Sequence, residues 1–193
     1  MTGNGTRVRK LRSRALARGF TLVELLIVVA MIGVLAALAF VGYRRYIQQA
    51  HTGEVQAMVS ALRAGEEAYK AETLVYLNCD PANNLTTYYP HAAPDKTKWH
   101  WINPGHPQMN CYRTLSGADS PVRYVYSIIA GPPGAQPPAV PGLANPIVWQ
   151  PVAQITDVWY VVYARGDMDG NNVFSHFVAS SFSGEIYHEN DSE

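Results

Sequence analysis

What this chain has little of narrows its chemistry first. Its 193 residues contain no P-loop, no G-x-S-x-G, no H-E-x-x-H and no C-x-x-C, and its six histidines fall in no ligand or triad spacing. The signatures of nucleotide hydrolysis, acyl transfer, zinc proteolysis and thiol exchange are therefore absent, and the expectation is a protein that is not an enzyme. Clustered Lys and Arg are missing beyond the front of the chain. Six of the fifteen bases (Arg7, Arg9, Lys10, Arg12, Arg14, Arg18) precede Phe20 with no acid among them, so the other nine face all fifteen acids, a net charge of −6. Phosphate binding needs concentrated positive charge, so nucleic acid is not expected as the main ligand. From Phe20 to Val41 charge is missing altogether, save Glu24.

A basic front followed by an apolar run is a targeting pattern. Positive charge stays cytoplasmic, so everything after about residue 43 is expected on the far side of the membrane. Cysteine is scarce as well: Cys79 and Cys111 both fall in the exported part. An oxidising compartment favours a disulfide between them, whereas a reducing one leaves two free thiols. The loop-closure estimate for their spacing is roughly 3–4 kcal/mol.

As a helix, the run from Phe20 to Val41 can span a bilayer core of about 30 Å. Three readings compete for it. A secretory signal peptide finds a small-x-small site in Ala37-Leu38-Ala39, but the run is long for such a segment and Glu24 interrupts it. An ordinary single-pass anchor explains length and topology, but not a carboxylate costing roughly 2.5–3.5 kcal/mol on insertion scales. The third reading rests on Gly19-Phe20-Thr21-Leu22-Val23-Glu24. This hexapeptide resembles the prepilin processing motif of type IV pilins and their relatives. The match is close over residues 14–42, looser along the following helix and weak in the C-terminal half. The resemblance implies cleavage after Gly19 by a prepilin peptidase on the cytoplasmic side, then N-methylation of Phe20. Many members of that family carry a proline about where Val41 stands. Here Val41-Gly42 replaces it, and Gly33 and Gly42 are the positions where the helix can loosen.

Elementary electrostatics gives the motif a purpose. Phe20 and Glu24 are four apart and share one helix face. Once the leader is removed, Phe20 carries a charged amine, and methylation leaves it protonatable. An amine and a carboxylate are each costly alone in lipid, and pairing them across two subunits satisfies both. Glu24 thereby becomes an assembly and register device. The plainer alternative is that Glu24 snorkels to the headgroups, one turn away.

Residues 43–74 continue as a helix whose Val55, Met58, Val59, Leu62 and Tyr69 recur at amphipathic spacing, with Arg44, Arg45, Glu54, Arg63, Glu67 and Lys70 among the residues of the remaining surface. Tyr43 to Tyr46 suit a membrane exit. Residues 78–121 read as loop, with a turn at Asn103-Pro104-Gly105. Strands are expected over 122–129, 158–164 and 173–181, and a short one through 185–187. Residues 131–151 are proline-laden and read as an extended surface loop.

Three further candidates have bland competitors. Asp167-Met168-Asp169-Gly170-Asn171-Asn172 looks like the start of a calcium loop at Asp167 and Asp169, but lacks the spacing and terminal glutamate of a full one. Asp-Gly between strands is also what a plain hairpin needs, and the turn is the expectation. Trp99-His100-Trp101 with His91 and His106 suggests a metal or sugar site. However, no ligand spacing supports it, and aromatics commonly plug small cores. Asn84-Leu85-Thr86 fits a glycosylation acceptor by composition only.

The expected fold class is α+β: a long N-terminal helix, membrane-spanning then amphipathic, packed on a small antiparallel sheet. The expected parts are a cleaved leader (1–19), a membrane and filament-core helix (20–42), an amphipathic helix (43–74) and a β-rich head with a disulfide loop (75–193). The resemblance implies a structural pilus subunit, major or minor, working without catalysis or cofactor. Its implied partners are copies of itself or sister pilins, the prepilin peptidase and the inner-membrane assembly platform. The precursor is expected in a bacterial inner membrane with a periplasmic head, and the assembled pilus outside the cell. A pseudopilin of a type II secretion system, or an uncut membrane-tethered binding module, is the alternative.

Overall fold

The structure is a computed structural model and describes residues 19–191. Residues 1–18 of the expected leader, with its six bases, lie outside the described residues. The chain divides into two compact units, Met1–Tyr43 and Arg44–Glu193.

Helix α1 runs without a break over Leu22–Thr73, 52 residues, through Gly33, Gly42, Gly53 and Gly65. Its part in the first unit, together with residues 19–21, is exposed throughout. In the second unit the amphipathic stripe does its expected work, with Val55, Val59 and Leu62 fully buried. The helix ends at Leu74, which takes a left-handed conformation (φ 66°) and donates its N–H to Lys70 O. Glycine usually fills such a helix-ending position.

Four strands follow: β1 (Val125–Gly131), β2 (Trp159–Gly166), β3 (Ser175–Ser180) and β4 (Ser183–Glu189). They pair in sequence order as an antiparallel meander, with Ile128 opposite Val162 and Val162 opposite Ala179. β1 begins three residues later than expected because Val122 instead bridges Trp99 through a reciprocal pair of 2.8 Å hydrogen bonds. Side chains alternate between two apolar layers. Tyr126, Ile128, Tyr160, Val162, Ala164, Phe177 and Ala179 pack with Val55, Val59 and Leu62 of α1. Val125, Ile129, Trp159, Val161, Tyr163 and Val178 face the other way, into a second core.

That second core corrects the reading of residues 131–151. The segment is extended, but it is a cover more than a free loop: Val140 is buried, and Leu143, Ile147 and Trp149 pack on the outer layer of the sheet. Trp159 Nε1–H donates to Ala135 O (2.8 Å), Trp149 Nε1–H to Pro138 O (2.9 Å) and the Tyr163 hydroxyl to Pro141 O (2.9 Å). Glu189 accepts from the Ala144 and Asn145 N–H groups. The Ala135 and Pro141 carbonyls are thus anchored from β2, and the Pro138 carbonyl from within the cover itself.

A second helix, α2 (Met109–Leu115), stands in the stretch read as loop. It carries Cys111, bonded to Cys79 across a Cα–Cα distance of 5.6 Å and a sequence separation of 32. Cys79 is buried, and its N–H donates to Ile128 O (3.1 Å). The bond thus ties α2 to the chain beside β1. Replacing both cysteines by alanine is expected to cost about 3–4 kcal/mol by loop-closure entropy, read as a lower urea midpoint.

α2 also explains Gly65. A Cβ there would lie 1.9 Å from Leu115 O, so α2 crosses α1 at a point with room for hydrogen only. Gly65→Ala is expected to cost roughly 2–3 kcal/mol by overpacking against backbone. Gly53 has open space around it, and Gly53→Ala is expected to stabilise by up to about 1 kcal/mol. Opposite shifts of the urea midpoint for the two alanines check this pair.

Candidate functional site

Gly19, Phe20 and Thr21 precede the helix in irregular, exposed chain, with Phe20 88% exposed. The peptide bond between Gly19 and Phe20 is thus free of helical hydrogen bonding and open to a protease, which needs accessible backbone. Helix α1 then opens on a reciprocal cap. The Thr21 N–H and hydroxyl both donate to Glu24 Oε2 (2.8 Å each), and the Glu24 N–H donates back to Thr21 Oγ1 (3.2 Å). This is a capping box, which satisfies two of the otherwise unpaired N–H groups of a helix start. A carboxylate in the first turn also complements the helix dipole. Sequence reasoning passed over this role, although Thr21-x-x-Glu24 ahead of an apolar run is its signature.

Beyond the cap, Leu22, Val23, Leu25, Leu26, Val29, Ile32, Leu35 and Leu38 are all more than half exposed. The helix is long and apolar enough to cross a membrane, and its most apolar window is wholly unburied within the chain. So much apolar surface on every side of one helix cannot be matched to water.

The other sequence candidates take part in turns and packing contacts. Asp167 Oδ1 accepts the Gly170 N–H (2.6 Å) and Oδ2 the Asn172 N–H (3.2 Å), while Asp169 accepts from the Asn171 backbone and side chain. Gly170 takes φ +74° and Asn172 φ +65°, as a tight turn requires. Among the described residues no group of three or more His, Cys, Asp or Glu is placed to hold a metal. Trp101 is fully buried among Tyr89, Tyr112 and Tyr126, with ring centroids 5.1–5.7 Å apart, and the Tyr89 hydroxyl donates to Trp101 O. His91 stacks on Trp99 at 3.8 Å, and His106 packs edge-on to Tyr89 with its pKa lowered by burial. Asn84 Oδ1 accepts from Thr86 N–H and closes a turn.

One titratable group was missed. Glu66 of α1 is fully buried; its Oε2 accepts the Leu77 N–H (2.9 Å), and its Oε1 has no hydrogen-bond partner among the described residues. Burial, chiefly, pushes its pKa up to about 8.

Residues 14–40 match the family model for the prokaryotic N-terminal methylation motif. The N-terminal region is similar to the type IV major fimbrial protein FimA of Dichelobacter nodosus, 43% identical over 54 residues, 28% of this chain and 35% of that protein. Fimbrial protein Q of Moraxella bovis is 48% identical over 54 residues, 28% of this chain and 32% of that protein. A fimbrial protein of Neisseria meningitidis serogroup A is 40% identical over 73 residues, 37% and 39% of the two chains. The chain therefore spans about a third of the length of these curated relatives. No solved structure matches it. By motif and by relatives, the N-terminal part of this chain carries the prokaryotic N-terminal methylation motif and is similar to the corresponding part of type IV fimbrial proteins.

Proposed function

We propose that this chain is a structural subunit, major or minor, of a type IV pilus. The observation that carries the reading is the wholly exposed apolar length of α1, preceded by an accessible Gly19–Phe20 bond and bearing Glu24 in its first turn. In this reading a prepilin peptidase cuts after Gly19, and Phe20 becomes the methylated N-terminus. Residues 20–42 hold the precursor in the inner membrane and then bundle with the same helix of other subunits. Burying one continuous apolar surface from many chains holds the fibre without covalent links. The remaining residues form a periplasmic head that ends on the fibre surface, delivered by the inner-membrane platform. The role is structural: cleavage and methylation are done to the chain, not by it.

Mass spectrometry of subunits from sheared fibres tests the proposal. The expected N-terminus is methylated Phe20 in filaments visible by electron microscopy. A mature protein that keeps residues 1–19 would instead be an uncut tether, and a short assembly held within the envelope would be a pseudopilin. The subunit needs no cofactor in this reading. With both Asp167 oxygens already accepting backbone N–H groups, chelation by EDTA is expected to leave the melting temperature unchanged. A clear rise on adding calcium would move the assignment toward a pseudopilin.

A further inference from the structure

The outer row of β4 sets up a second feature, on the head. Ser183, Glu185, Tyr187 and Glu189 alternate onto the face away from α1. Glu189 pins the proline-rich cover at Ala144 and Asn145, and Trp149 is held by Pro138 O and by its packing against Phe182, ring centroids 6.0 Å apart. Between these anchors the cover arcs over the hairpin and leaves a cleft of about 370 Å³. Its size falls in the range of roughly 300–1,000 Å³ typical of ligand sites.

The lining defines the ligand. Trp149, Phe182 and Tyr187 supply aromatic surface, while Gln150, Ser183 and Glu185 supply polar groups. Among the described residues no Lys, Arg or His lines the cleft, and Arg63, which reaches the backbone there, spends its guanidinium on the Ser183 and Gly184 carbonyls, so the lining favours a neutral ligand over a phosphate or a carboxylate. Glu185 is exposed, and its carboxylate makes no hydrogen bond or ion pair among the described residues, although it lines the cleft. Ser183 Oγ accepts the Glu185 N–H (3.1 Å) and keeps its own O–H to donate. Aromatic faces beside amide, hydroxyl and carboxylate groups suit a molecule with one C–H face and a rim of hydroxyls, which is a pyranose ring. Pro146 and Pro151 flank the wall formed by residues 147–150, so little chain freedom is lost on binding.

We propose that this cleft binds neutral carbohydrate, with the aromatic residues stacking on a sugar ring and Glu185 and Gln150 taking its hydroxyls. The inference does not rest on the pilus reading, since soluble sugars test it on the protein alone. The full-length protein in a non-glycosidic detergent is titrated with maltose, cellobiose, lactose and chitobiose while tryptophan fluorescence is followed. Saturable binding of at least one of the four is expected. Glu185→Ala is expected to weaken that binding about tenfold with an unchanged melting temperature, and Trp149→Phe to remove most of the fluorescence response. No saturable response to any of the four sugars would overturn the proposal. So would equal affinity in the Glu185→Ala protein, or a response to choline alone.

Discussion

Glu24→Gln and Glu24→Ala are both expected to abolish filaments while leaving cleavage after Gly19 intact. The two substitutions separate the two things this carboxylate can do. In the single chain Glu24 closes a capping box on Thr21. Glutamine keeps a capping box and alanine loses it, at a cost of about 1 kcal/mol. That cost is small against a helix this long. The second role, in the proposed fibre, is a charge in lipid, neutral in both variants. A carboxylate that meets the amine of a cleaved Phe20 on a neighbouring subunit is matched there and nowhere else in the bilayer. Breaking such a buried pair by removing one partner costs roughly 3–5 kcal/mol. Repeated at every addition step, a loss of that size ends growth. Cleavage acts on the irregular chain before the helix, with Phe20 four residues from Glu24, so it survives. Filament yield by shearing and microscopy, with leader removal read by mass, checks both halves. Wild-type yield from Glu24→Gln with none from Glu24→Ala would leave only the cap as the role of Glu24. Normal yield from both would remove the charge pair altogether.

The front of this chain was legible because its message is compositional. Six bases, a Gly-Phe pair, one carboxylate and an apolar run need no tertiary context to be read, and the same holds for the stripe of Val55, Val59 and Leu62. The sheet was legible as β-branched and aromatic runs, with ends misplaced by a few residues where pairing with Trp99 intervened. What the sequence hid was decided by contact between distant segments. α2 is seven residues long, too short for its own periodicity to stand out, and it exists where a disulfide and Gly65 hold it against α1. The proline-rich segment reads as surface by composition. Yet strands buried on both faces show near-continuous apolar runs, and Val125 to Ala130 is one. A two-faced strand needs something on each side, and that was the available signal that Val140 and its neighbours cover the outer layer. The cleft lies beyond sequence reading, because its walls are distant in sequence and meet through contacts such as those of Glu189 and Trp149.

Glu66 was also within reach, since positions 55, 59, 62, 66 and 69 form one stripe of α1 and only Glu66 among them is acidic. It sets the largest pH effect expected in the head. Its carboxyl has a pKa of about 8 in the fold, raised by burial, partly offset by the Leu77 N–H and reinforced by neighbouring Glu67. In the unfolded chain it titrates near 4.5. The folded state therefore holds a proton that the unfolded state gives up between those values. Stability is full below about pH 4.5, falls as pH rises through 8, and levels off above it. The span corresponds to roughly 4–5 kcal/mol at 1.36 kcal/mol per pKa unit. Three histidines, one buried and two half-buried, push the other way. His51, His106 and His176 have pKa values lowered chiefly by burial, so their contribution is lost as pH falls below about 6.5. A raw stability curve mixes the two, and the difference between the native protein and Glu66→Gln isolates the carboxyl. Glutamine is neutral, close in shape and able to accept the Leu77 N–H. The expected difference is near zero at pH 4.5 and grows in favour of glutamine by a few kcal/mol between pH 5 and 8, read from urea midpoints. At neutral pH the glutamine protein is the more stable one, less the cost of an unpaired amide N–H. A flat difference across that range would mean that Glu66 ionises freely in the fold, and hence that its site is wet.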